Sequence, residues 1–407
     1  MHVDRHLVLF GRRLPLGILY STASLVGIRS IGVAVRYFAL FSLASLVSPA
    51  VFSQCGVTFL CAEFGRLITD AGLDSTYLRM AEAARGQVRQ ELLRRGMMIK
   101  LLQGAVALVA IEAGLTIAFG VNVLLLAIGA QFFAQSLLQL ALNELQVEDR
   151  AYRAAPALLL VYGLGAAVAA LALLDQLAAR WGLPVIALGE ALVALWLLLP
   201  QMAWTCVADA YRTYFPQVVP MLGISLLAFM TTKTDSLLIA HFVPPAESGR
   251  YLYLGRWAEL GPMIVAGFGL PLVGKIGGRA SRQPRGLLLV AFGLAPMPPI
   301  SLALGLVIGP NYALPLVLMA LIAMISVVRV WLVIMTIVLL AHWRDQQLVL
   351  ITAVSAAVTV VLGVVLGHAY GAAGVASGAL LGETSNLLLQ VLLVVRRSTE
   401  PRPAARP

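Results

Sequence analysis

Residues 314–340 read LPLVLMALIAMISVVRVWLVIMTIVLL, 27 residues with a single charge, Arg329. A helix needs about 20 apolar residues to cross the hydrocarbon of a bilayer. There, only helices and closed barrels satisfy their own backbone polar groups, so this stretch reads as a transmembrane helix. Working outward, comparable apolar stretches fall at approximately 14–35, 37–60, 97–118, 121–142, 156–174, 183–203, 217–241, 251–273, 287–308, 347–367 and 373–395. The sequence therefore predicts an all-α polytopic membrane protein of about 12 transmembrane helices. Arg29 interrupts the first stretch and no small-residue cleavage site follows, so that stretch reads as an uncleaved span.

Composition agrees. Of 407 residues, 60% are hydrophobic and 12% charged, with mean hydropathy +0.91. Soluble domains carry about 25% charged residues, so a soluble globular protein is excluded. Disorder, which needs low hydrophobicity, is excluded too. Cys55, Cys61 and Cys206 are odd in number and lack metal-ligand spacing, which argues against disulfides and zinc.

The net charge of +10 is mostly a topology signal. Placing both termini and the even-to-odd connections in the cytoplasm puts most Lys and Arg on that side, as the positive-inside rule requires. No nucleic-acid partner is needed to explain the charge. On this reading Arg36 falls in a short outer loop. Cys61–Gly96 becomes a long cytoplasmic connection, and Lys100, just beyond it, is counted on the same side. Within it, Leu78–Arg95 (LRMAEAARGQVRQELLRR) has the spacing of a basic amphipathic helix suited to anionic membrane lipids. The stretch Arg36–Leu46 matches Arg250–Leu260 at an offset of 214, which suggests a 6+6 duplication of the kind seen in transporters. The expected division is an N-terminal six-helix lobe, 1–210, and a C-terminal lobe, 211–407, with a short basic cytoplasmic tail.

A charge at mid-bilayer costs about 2.5–3.5 kcal/mol on insertion scales, so each needs a reason. Arg29, Lys233, Arg256 and Arg329 fall inside spans, as do Asp235, Glu259, Glu112, Glu190 and Glu383. Arg329 is expected nearer the cytoplasmic end than the other cations. The cations suit an anionic substrate group, because guanidinium offers several donors in one plane. Asp235, Glu259 and Glu112 are candidate charge partners or coupling sites; interhelical ion pairing is the alternative for all of them. Glu63 and Arg66, at the inner end of the second span, are a candidate gate pair or ordinary interface charges. There is no G-x-S-x-G, Walker A, H-E-x-x-H or D-x-D pattern, so no catalytic or ATP-driven chemistry is expected.

The region from Tyr214 to Leu272 resembles the oligosaccharide flippases of the polysaccharide-biosynthesis family, within the MATE-type exporter superfamily. The residues that carry the resemblance are Lys233-Thr234-Asp235-Ser236-Leu237-Leu238-Ile239, the short segment His241–Ser248, Gly249-Arg250-Tyr251 and Trp257-Ala258-Glu259-Leu260. Tyr37–Gly56 is similar to the second span of that family, Asn143–Arg153 sits where it has its span 4–5 loop, and Gly309-Pro310-Asn311-Tyr312 resembles its span 9–10 turn. The chain departs from it at Arg36-Tyr37-Phe38, where a Tyr-Gly pair is usual, and is too short for fourteen-helix relatives.

The resemblance implies two six-helix lobes around a central cavity and alternating access. It implies a lipid-linked oligosaccharide substrate on an undecaprenyl-pyrophosphate-type carrier, in the bacterial inner membrane. Arg29, Lys233 and Arg256 match the cations with which the family holds such anions, and Arg329 would receive the substrate on the cytoplasmic side. A polysaccharide polymerase and glycosyltransferases are the pathway partners it suggests, for a chain acting as a monomer. No cofactor is expected. Na+ or H+ coupling is known in the superfamily, but no residue set names the ion. Alternatives are a drug or metabolite cation antiporter of the same superfamily and a polytopic polysaccharide polymerase or glycosyltransferase, for which the outer loops look too short.

Overall fold

Proline, glycine and capping side chains, rather than charges, set where the helices begin and end. The computed structural model describes residues 6–9, 12–148, 150–172, 181–201, 206–265, 292–341 and 345–398. Its chain divides into two compact units, Met1–Ser225 and Leu226–Pro407.

The first unit contains α1 (Leu16–Leu46), α2 (Pro49–Asp70), α3 (Leu73–Ala83), α4 (Gln87–Phe119), α5 (Val123–Val147), α6 (Ala155–Ala172) and α7 (Gly182–Leu198). Ser48 caps α2 by accepting a hydrogen bond from Val51 N at 3.4 Å, and Pro49 fills the first helical position. There its missing N–H costs nothing. Asn122 caps α5 through Leu124 N at 3.1 Å and Leu125 N at 3.4 Å. Between α2 and α3 the chain turns on Ala71 (φ 44°) and Gly72 (φ 78°), and any side chain at 72 would run into Met221. Helix α1 packs on α6, α6 on α7, α7 on α5, α5 on α2 and α2 on α4.

Helix α8 (Val207–Phe242) starts in the first unit and ends in the second. The second unit continues with α9 (Pro245–Ala258), α10 (Met297–Ile308), α11 (Leu316–Ala341) and α12 (Asp345–Ser398). Helix α12 breaks at Gly371 (φ 58°, ψ −137°). Its two halves meet along Gly374, Gly378 and Gly382. A Cβ at Gly374 or Gly378 would collide with the backbone at Leu366 or at Leu362 and Gly363, and one at Gly382 with Thr359. The small residues of Gly371–Gly378 (GAAGVASG) permit this close helix approach.

Seven helices among the described residues are long and apolar enough to cross a membrane, and three shorter apolar helices accompany them. Apolar side chains face outward, with Ile117, Val307 and Leu316 more than three-quarters exposed, while polar residues such as Lys100, Glu190 and Glu383 are wholly buried. That inversion suits a hydrocarbon surround, where a charge must face protein. The chain is thus a nearly all-helical polytopic membrane protein. A two-stranded antiparallel hairpin, His6–Leu9 with Arg12–Pro15, is the exception to the all-α expectation.

Four sequence readings need correction. Arg36 lies inside α1 rather than in a loop, and the break falls at Ser48–Pro49. A lone charge does not end a helix when a buried partner neutralises it, and Glu190 does so here. The repeat therefore fails, because Arg36 sits in the first helix of its unit and Arg250 in α9, which follows α8. The connection Cys61–Gly96 is almost wholly helical. Gly86 (φ 58°) interrupts the amphipathic stretch, and α4 takes in Lys100. Likewise Asn143, Glu144 and Gln146 are buried residues of α5 rather than a loop. The first part of the span at 287–308, the cations Lys275, Arg279, Arg282, Arg285 and Arg344, and the basic tail beyond 398 lie outside the described residues.

Candidate functional site: a buried ion network in the second unit

Lys233 and Asp235 sit two residues apart on α8. Arg256 lies in the last turn of α9, and Glu259 follows α9 directly, with a helical backbone that continues through 260–265. Arg329 stands at the middle of α11, and Glu383 in the second half of α12. Packing of α9 on α11 and of α11 on α12 brings these six charges together.

Arg329 is the hub. Its Nε donates to both carboxylate oxygens of Glu383, at 2.9 and 3.1 Å. Its Nη2 donates to Glu383 Oε1 at 2.7 Å and to the Thr232 carbonyl at 2.6 Å. The same guanidinium lies 3.5 Å from Asp235 Oδ2 and 3.5 Å from Glu259 Oε1. Tyr251 OH donates to Asp235 Oδ2 at 2.8 Å. Lys233 Nζ donates to Glu259 Oε1 at 2.5 Å, and Arg256 Nη1 donates to Glu259 Oε2 at 3.0 Å. Three cations thus face three carboxylates, and Glu259 accepts from both remaining cations.

Exposure grades the network. The Glu383 side chain is 0% exposed and Arg329 9%, whereas Lys233 is 15% and Glu259 11%. Glu383 is the buried root and the Lys233–Glu259 pair the less buried edge, while Arg256, at 8%, lies as deep as Arg329. Breaking a buried pair from one side costs about 3–5 kcal/mol, so the root is fixed by its own energetics.

Of the residues singled out from sequence, Lys233, Arg256, Arg329, Asp235 and Glu259 meet in this network. Arg329 stands among the same carboxylates as Lys233, not apart from them towards one end. Arg29 is in α1, and its side chain lies outside the described residues. Glu112 belongs to α4 of the first unit. Both its oxygens are shielded from solvent without a hydrogen-bond partner among the described residues, beside Gly129. Glu63, half-buried, and exposed Arg66 lie one helical turn apart on α2 of that unit. Sequence reasoning gave Glu383 no role and missed Tyr251 and Thr232. The signal for Glu383 was present, since Arg329 and Glu383 are lone opposite charges within two apolar helices.

The first unit holds three ion clusters of its own. Arg36 pairs with Glu190, which also accepts from Tyr162 OH at 3.1 Å. Lys100 Nζ donates to Asp74 Oδ2 at 2.8 Å and to the Ser136 carbonyl at 3.0 Å, with Asp70 Oδ1 at 3.3 Å. Arg89 bridges Glu144 at 3.2 Å and Glu148 at 2.5 Å, while Tyr77 OH donates to Glu144. Among the described residues, no group of three or more His, Cys, Asp and Glu is arranged to hold a metal ion.

No protein family model matches the sequence, and no curated protein matches it. Solved structures do match its fold. An inward-facing multidrug resistance MATE family transporter of the MOP superfamily superposes with TM-score 0.62 at 13% identity, over 93% of this chain and 97% of that one. An outward-facing MATE transporter gives TM-score 0.59 at 14% identity, over 93% and 95%. The lipid II flippase MurJ, in an inward closed conformation, gives TM-score 0.59 at 12% identity, over 93% and 87%. The chain has the polytopic fold that these transporters and this flippase share.

Proposed function

We propose that this chain is a flippase of the bacterial inner membrane. It carries a lipid-linked oligosaccharide or polysaccharide precursor, of undecaprenyl-pyrophosphate type, across the bilayer by alternating access. The observation that carries this reading is the convergence of Lys233 and Arg256 on one carboxylate at the less buried edge of the network, inside a unit of apolar helices. A cation pair held there at high desolvation cost suits an anionic headgroup, and the guanidinium fork suits phosphate oxygens. The likeness in fold to a lipid II flippase supports the same reading. In this scheme Lys233 and Arg256 hold the diphosphate, and Arg329 holds the network in place. The sugar follows a polar path while the lipid tail stays in the bilayer. Enzymes that assemble and polymerise the repeat units would act before and after it.

A drug or metabolite cation antiporter is the second reading, favoured by the likeness in fold to multidrug MATE transporters. It would need carboxylates open to an organic cation. Instead Asp235, Glu259 and Glu383 already face Lys233, Arg256 and Arg329.

The test is to delete the gene and locate the lipid-linked repeat units. Accumulation of complete units on the inner leaflet, corrected by the wild-type gene and by neither Lys233→Gln nor Arg256→Gln variants that insert normally, is the expected result. Accumulation of unpolymerised units on the outer leaflet would instead assign the chain to polymerisation. Export of organic cations from vesicles, with no lipid-linked sugar present, would assign it to drug transport.

A further inference from the structure

We infer that Glu259 is the resident counter-anion of the site: its carboxylate occupies the place of the substrate's phosphate, and substrate binds by displacing it. The inference rests on the flippase reading above and adds to it the group with which the substrate competes.

Four observations support it. Glu259 presents one oxygen to Lys233 at 2.5 Å and the other to Arg256 at 3.0 Å. A planar carboxylate spanning two cation donors has the same donor-facing geometry as two oxygens of a phosphate. Second, Glu259 lies at the less buried edge of the network, whereas Glu383 is wholly buried at its root. Third, the rest of the network keeps its bonds without it. Arg329 retains Glu383 and the Thr232 carbonyl, and Asp235 retains Tyr251. Displacing Glu259 thus opens these two contacts on Lys233 and Arg256 and leaves the hub in place. Fourth, Glu259 keeps helical backbone bonds on both sides, its N–H donating to the Gly255 carbonyl and its carbonyl accepting from Met263 N, both at 3.0 Å, so a rotation of its side chain alone releases the two cations.

The charges facing Glu259 come from each packed element: Lys233 and Asp235 on α8, Arg256 on α9, Arg329 on α11, and Glu383 on α12 across Arg329. With substrate absent, three carboxylates neutralise three cations. An arriving oxyanion takes over the two cations that Glu259 held. The ligand class is therefore a phosphate or diphosphate group, on a lipid carrier or free in solution. A neutral headgroup would have nothing to exchange for Glu259.

The experiment measures binding of a short-chain polyprenyl diphosphate and of inorganic pyrophosphate to the full chain in nanodiscs, for wild type, Glu259→Gln, Glu259→Asp and Lys233→Gln. Losing a competing charge-assisted contact is expected to tighten polyprenyl diphosphate binding about tenfold in Glu259→Gln, with a larger rise in thermal stability on ligand addition. Glu259→Asp, which keeps the charge but draws it back by one methylene, is expected to fall between. It decides the matter if Glu259→Gln does not fold. Lys233→Gln is expected to weaken binding. If neither Glu259 variant binds more tightly than wild type while Lys233→Gln still weakens binding, the counter-anion role is wrong and the flippase reading stands. If Lys233→Gln changes nothing, the site assignment itself falls. Equal tightening for inorganic pyrophosphate would keep the counter-anion role and overturn the lipid-linked substrate.

Discussion

The two units bury comparable chemistry in different ways. In the first, charges form three separate clusters, around Arg36–Glu190, Lys100 with Asp70 and Asp74, and Arg89 with Glu144 and Glu148. In the second, six charges from four helices share one network. A separate cluster has no neighbouring partner to pass its bond to, so disturbing it leaves a charge stranded in low dielectric. A network with a shared acceptor can exchange one member and stay nearly neutral. The first arrangement holds helices together; the second also allows an incoming anion to be accommodated.

The comparison can be broken most easily at the root of the network. Glu383→Gln takes away the carboxylate that fills the Arg329 fork and is expected to cost about 3–5 kcal/mol of stability, read as thermal or denaturant unfolding in micelles. A loss comparable to a surface pair would mean that the network is not anchored there. Lys100→Met, which leaves Asp70 and Asp74 facing each other, is expected to cost about 3 kcal/mol. Most of that should return when both aspartates are also made Asn, because the cluster is self-contained. Failure of this rescue would mean that Lys100 is coupled beyond its two partners. Glu190→Gln is expected to cost about 1.5–3 kcal/mol, the range for a hydrogen bond to a charged group, because Arg36 keeps partial access to solvent. The half-exposed Glu91–Arg95 pair, one turn apart on α4 at 2.9 Å, marks the floor. Glu91→Gln should change stability by only about 0.3–0.5 kcal/mol, and salt should erase the difference.

Much of the fold could be read from apolar length and from punctuation. Gly371 divides two predicted spans, Pro245 starts a helix after a short connection, and the Gly309–Tyr312 segment forms a turn, whereas Pro49, inside the stretch read as 37–60, starts α2. What misled was charge. Arg36, Lys100 and the Asn143–Arg153 segment were assigned to loops or their edges because the neutralising partners are distant in sequence. Glu190 stands 154 residues from Arg36, and no local pattern reveals that pairing. The same physics made part of the site readable. Lys233, Asp235, Arg256 and Glu259 stood out because a charge in hydrocarbon needs a reason. Which carboxylate answers which cation depends on helix packing, and Arg329 finds Glu383 across 54 residues.

The glycine seam of α12 bears on how the network moves. Its two halves touch backbone to backbone at Gly374 and Gly378, and Gly382 closes on Thr359 immediately before Glu383. Such a seam has almost no side-chain slack, so Glu383 is mounted on a closely packed helix pair and serves as a stationary electrode. Displacement in the network must then be taken up on the opposite terminal, at Lys233 and Glu259.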